Sequence, residues 1–66
     1  PGAAAIVDSL RYSTNSGVKI ASIDALRYIY KPEYKEEMST LFTLAQADTN
    51  PDVAEVATIA LNNINN

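Results

Sequence analysis

The residues that most enzymes use for chemistry near neutral pH are missing from this chain. Its 66 residues include no histidine and no cysteine. Without an imidazole there is no ordinary general base and none of the commonest nitrogen ligand for zinc. Ser9, Ser13, Ser16, Ser22 and Ser39 therefore have no histidine to activate them as nucleophiles. Without thiols there are neither disulfides nor thiolate metal sites. Glu33, Glu36 and Glu37 are close enough in sequence to act as paired carboxylates. They follow Pro32 at a predicted helix start, however, where the helix dipole favours negative charge, and they read as a solvated face. Asp48 and Asp52 bracket a turn, but lack the alternating oxygen ligands and terminal glutamate of a calcium loop. Gly2 and Gly17 stand apart, so there is no glycine-rich phosphate cradle. The expectation is a chain with no catalytic residue, no metal and no cofactor.

Binding chemistry is better represented. Tyr28, Tyr30 and Tyr34 interleave with Arg27, Lys31 and Lys35 around one predicted turn. Aromatic and arginine side chains together are enriched in protein interfaces, so these six form a candidate partner-binding patch. The same mixture stacks on single-stranded nucleic acid. It also arises when tyrosines bury their rings and keep their hydroxyls wet. Nucleic acid is disfavoured by the net charge of −3, since such binding depends on neutralising phosphates. The charge is lopsided: residues 1–35 hold all five bases and three acids, +2, whereas residues 36–66 hold five acids and no base, −5.

The elements that must carry these residues are helices. Three breaks punctuate the chain, at Ser13–Gly17, Lys31–Pro32 and Asp48–Asp52. The four stretches between them have helical periodicity. Ala3, Ile6, Val7 and Leu10 make one stripe in the first. The second, over about 17–30, carries Val18, Ser22, Ala25, Leu26 and Ile29 on a main face and Ile20, Ile23 and Tyr30 on another. A helix apolar on two faces should be covered on two sides. Tyr34, Met38, Leu41, Phe42 and Ala45 line the third, over about 33–46. Val53, Val56, Ala57, Ala60, Leu61 and Ile64 line the fourth, over about 51–64. Asn15 or Ser16 should cap the second helix, Asn50 with Pro51 should start the fourth, and Pro32 should start the third. The asparagine-rich tail, 62–66, suits a fraying end. Short connections between helices favour antiparallel neighbours.

The chain also repeats itself. Shifted by 35 residues, Thr14, Asn15, Val18, Ala25, Leu26 and Ile29 meet Thr49, Asn50, Val53, Ala60, Leu61 and Ile64. The matches fall on a turn and then on one face of the following helix. A helical pair recurring at this period indicates an α-solenoid; two unrelated hairpins in a four-helix bundle are the alternative.

The run Leu44 to Val53, continuing to Ala57, Ala60, Leu61 and Ile64, resembles the HEAT repeat: an aspartate ending a first helix, an Asn-Pro turn, then a valine opening a second helix rich in alanine and leucine. Asn15, Val18, Lys19, Ser22, Ala25, Leu26 and Ile29 resemble the same pattern in the first half. Ser13 and Ala54 depart from it, standing where an aspartate and an arginine are expected. The resemblance implies two antiparallel helical hairpins, an all-α short solenoid, with repeats over about 3–30 and 33–64 of a single domain, 1–66. It also implies a ladder of turn aspartates and helix-opening cations between repeats, for which Lys19 and Asp48 are the pair this chain retains.

Together these readings predict a non-catalytic protein-interaction or scaffold module. Its partners would be another protein, neighbouring repeats or a second copy. The alternatives are an accessory part of a HEAT-containing enzyme and a free-standing structural bundle. No apolar run approaches the roughly 18 residues that a membrane span requires, and no signal peptide is visible. The opening Pro1-Gly2 lacks a methionine and reads as a fragment, a processed chain or an expression scar.

Overall fold

The computed structural model describes residues 2–65. They form four α-helices and one short 3-10 turn: α1 (Gly2–Tyr12), α2 (Ser16–Ile29), the 3-10 turn Pro32–Tyr34, α3 (Lys35–Gln46) and α4 (Pro51–Asn65). No strand occurs among the described residues. α1 packs on α2, α3 on α4, and α2 on α4. The helices make a slab 28 × 26 × 16 Å, whose thin dimension is that of two helix layers.

Side chains start two of the helices. Asn15 has an extended backbone, and its side-chain oxygen accepts from Val18 N–H at 3.1 Å, which satisfies one orphan donor of α2. Asn50 does the same for α4, accepting from Asp52 N–H at 2.9 Å and Val53 N–H at 3.3 Å. Pro32 acts differently from the expectation. It holds Lys31 in an extended conformation, φ −134° and ψ 151°, after α2 has already ended at Ile29 with Tyr30 at φ −55° and ψ 138°. It then opens the 3-10 turn rather than α3 itself. Tyr34, at φ −97° and ψ 3°, separates that turn from α3 and stands 39% exposed instead of continuing the buried stripe. The tail also differs: α4 runs through Asn65 because Ile64, 8% exposed, anchors its last turn in the core.

The core is one cluster drawn from all four helices, with Phe42, Ile23, Leu26 and Val53 its largest fully buried side chains. Both expected faces of α2 contribute, but the buried stripe is rotated from the expected main face. Ile23 is fully buried, whereas Val18 is 41% exposed. The cause lies in the packing: α2 is held between α1 and α4, and the edge carrying Val18 and Ala21 lines an open groove beside α1 to which α4 contributes no residue. Ala3, the first residue of the expected α1 stripe, has its side chain outside those described. Ile6 and Val7 are half-buried against the core, and Leu10 is buried.

Candidate interaction surfaces

The two turns are built by the same bonds, 35 residues apart. At the first, Ser13 Oγ accepts from Asn15 N–H at 3.1 Å, and Asn15 O accepts from Lys19 N–H at 3.1 Å. At the second, Asp48 Oδ1 accepts from Asn50 N–H at 2.9 Å, and Asn50 O accepts from Ala54 N–H at 3.1 Å. The hydroxyl of Ser13 thus performs the turn-closing half of what the Asp48 carboxylate does. The other half belongs to the second carboxylate oxygen. Lys19 Nζ lies 2.5 Å from Asp48 Oδ2, with both side chains largely covered, at 23% and 14% exposure. Donation by the Lys19 ammonium, reinforced by the Asn50 N–H, holds the Asp48 carboxyl below the usual carboxylate range against a smaller opposing effect of burial. The pair ties the first turn of α2 to the turn that follows α3.

The tyrosine and cation patch is divided. Arg27, Tyr28 and Tyr30 line one shallow depression with Asp24, Asn63 and Ile64. Tyr28 projects from it, 92% exposed, while Tyr30 packs against the core. The Arg27 guanidinium lies 3.4 Å from Asp24 in an exposed ion pair, so this depression carries no net charge. Tyr34 faces elsewhere, into a cavity of about 320 Å³ with Val7, Asp8, Ile29, Glu37 and Met38. Lys31 and Lys35 are exposed.

Glu33, Glu36 and Glu37 are exposed around a depression shared with Arg11 and Thr40. Asp52 stands exposed in the first turn of α4. Among the described residues no group of three or more candidate metal ligands comes together. None of their helices is long and apolar enough to cross a membrane.

The two outer flanks of the slab differ, and sequence reasoning missed this. On α4 the face carrying Val53, Ala57 and Ala60 is fully buried against α2 and α3. The matching positions on α2 are Val18, Ser22 and Ala25. There Val18 is 41% exposed and Ser22 buried, and the three share an open groove with Ala5, Ile6, Ser9 and Ala21. No charged side chain lines that groove. The opposite flank, beyond α4, shows Glu55, Thr58 and Asn62 to solvent, with Ile59, 43% exposed, as the large apolar group among them. There Gln46 Nε2 donates to Thr58 Oγ1 at 2.9 Å, and Thr58 donates to Ala54 O at 2.9 Å. The available signal was the repeat itself: Ile23 aligns with Thr58 and Ile20 with Glu55, so the second unit is polar where the first is apolar. No known family model, curated protein or solved structure matches the chain.

Proposed function

We propose that this chain is a non-catalytic protein-interaction module of two HEAT-like antiparallel helical hairpins, α1–α2 and α3–α4, and that its groove-bearing flank stacks on a further hairpin of the same kind. The observation that carries this reading is the unequal fate of equivalent positions. The first pair of helices covers the Val53–Ala57–Ala60 face of the second. The same face of the first, Val18–Ser22–Ala25, is left as a groove of similar composition. A solenoid unit buries its apolar flank only by stacking, and a terminal unit is polar on its outer side. The Glu55, Thr58 and Asn62 side suits such an end.

A duplicated chain tests this: residues 1–35 placed ahead of residues 1–66. In that chain Ile23 and Leu26 of the added unit meet Val18 and Ala25 of the next, as they now meet the α4 face. Urea unfolding should remain one transition with a higher midpoint. Two transitions, the first belonging to the added unit, would refute the repeat.

A further inference from the structure

α1 and α3 lie beside one another without forming one of the packed helix pairs. A valley runs between them. At one level a cavity of about 320 Å³ is walled by Val7 and Asp8 of α1, Ile29 of α2, Tyr34, and Glu37 and Met38 of α3. One turn further along both helices, a second cavity of about 140 Å³ lies between Leu10 and Arg11 on one side and Leu41, Leu44 and Ala45 on the other, with the Lys19–Asp48 ion pair at its end. The valley therefore follows roughly two helical turns, about 10 Å. The floor of the larger cavity is apolar, the smaller one is mixed, and two large apolar groups along the valley face water: Tyr34, 39% exposed, and Leu44, 63% exposed.

The rim is predominantly acidic. Asp8 and Glu37 border the larger cavity, and Glu33 and Glu36 continue the row beside it. Among the described residues the ion pairs are Lys19–Asp48 and Arg27–Asp24, neither of which includes any of these four carboxylates. Arg11 is the cation facing them, lining the adjoining depression with Glu33, Glu36, Glu37 and Thr40. With the paired Lys19 and Asp48 included, two cations stand against five carboxylates along the valley and its adjoining depression. By contrast, the groove beside Val18 carries no charge, and the depression at Tyr28 is neutral.

We infer that the α1–α3 valley binds a short basic amphipathic segment of a partner protein. An apolar side chain of that segment seats between Val7, Tyr34 and Met38. Its lysine or arginine groups reach Asp8 and Glu37. This is helix-in-groove recognition, in which apolar anchors supply affinity and the charged rim sets polarity and on-rate. It rests on the reading of the chain as an interaction module but not on stacking, because the valley and the Val18 groove share no lining residue.

The probe is a fluorescein-labelled amphipathic helix of leucine and lysine, titrated with the full chain at two salt concentrations and read by fluorescence anisotropy. Two companion peptides replace every leucine by serine, or every lysine by glutamate. The leucine–lysine peptide should bind, more weakly at high salt, and the companions should not. The double variant Asp8→Asn, Glu37→Gln should weaken binding about fivefold. The control Asp52→Asn, Glu55→Gln, which removes the same charge from α4, should change it less than about twofold. Tyr34→Ala, which leaves every charge in place, should weaken it too. Equal losses in the two double variants would reduce the effect to general attraction by an acidic chain and overturn the assignment. So would serine peptide binding as tightly as leucine, or indifference to Tyr34→Ala. A peptide that fails to bind while the duplicated chain still folds as one unit overturns the valley alone; the reverse result overturns stacking alone.

Discussion

Replacing Val53 or Val18 by alanine removes the same atoms from repeat-equivalent positions, yet the two changes should differ sharply in cost. Val53 is fully buried and Val18 is 41% exposed. Each substitution deletes two methyl-sized groups, about 0.8 kcal/mol apiece when wholly buried, or about 1.6 kcal/mol at Val53. A residual cavity adds to this at Val53, because Ala57 and Ala60 beside it are too small to fill the gap. Alanine's better helix propensity returns roughly 0.5 kcal/mol at either site. The net loss is then about 1.5–2 kcal/mol for Val53→Ala. At Val18 the transfer loss falls to about 1 kcal/mol and no enclosed cavity forms, so the net loss is below about 0.5 kcal/mol. Urea unfolding followed by far-UV circular dichroism measures both. In a chain this small, the difference corresponds to a gap in Tm on the order of 6–12 °C. Equal costs, or a larger cost at Val18, would refute the claim that the first unit's face lies open. In the duplicated chain the cost at Val18 should rise toward that at Val53.

Acid should release the Lys19–Asp48 tie. Asp48 has a lowered carboxyl pKa in the folded protein, so the pair's stabilisation is complete above the ordinary carboxylate range and is lost as pH falls through the lower folded value. Asp48→Asn should therefore lower the urea midpoint at pH 7 and lose its effect as pH falls below the ordinary carboxylate range, and a difference independent of pH would contradict this. Gly17→Asp should stabilise by about 0.5–1 kcal/mol, through the dipole at the start of α2 and the removal of a helical glycine. A Cβ there would stand 3.1 Å from Asn15 Oδ1, but the repeat-equivalent Asp52 already sits under the Asn50 cap. A lower thermal midpoint would mean that Asn15 cannot adjust as Asn50 does.

Much of the fold is legible in the sequence because local chemistry and periodicity agree. Asn15, Asn50 and Pro51 mark helix starts, and the stripe Val53, Ala57, Ala60 and Ile64 marks a buried face. What misleads is whatever depends on a neighbour. Val18 has the periodicity of a core residue, but burial at that position requires a helix on the side away from α4. Tyr34 continues the spacing of the α3 stripe, yet Pro32 sets a different backbone ahead of it. The tyrosine and cation patch is contiguous in sequence, and the chain turns between Tyr30 and Tyr34 so that they line different depressions. Pairing of Lys19 with Asp48, 29 residues apart, is invisible to periodicity, and only the family resemblance suggested it. The valley and its acidic rim require knowing that α1 and α3 are neighbours.

The 29-residue reach of the Lys19–Asp48 contact also bears on how quickly the chain assembles. Most of its other hydrogen bonds close over a few residues, within a helix or at the turn beside it. Such local contacts require little loop closure and suit folding in microseconds to milliseconds. The two helix pairs can each collapse across a short turn, leaving the α2–α4 seam as the long closure. Substitutions along that seam, at Ile23 or Val53, should slow folding, whereas loss of the Asn15 or Asn50 cap should divide its effect between folding and unfolding.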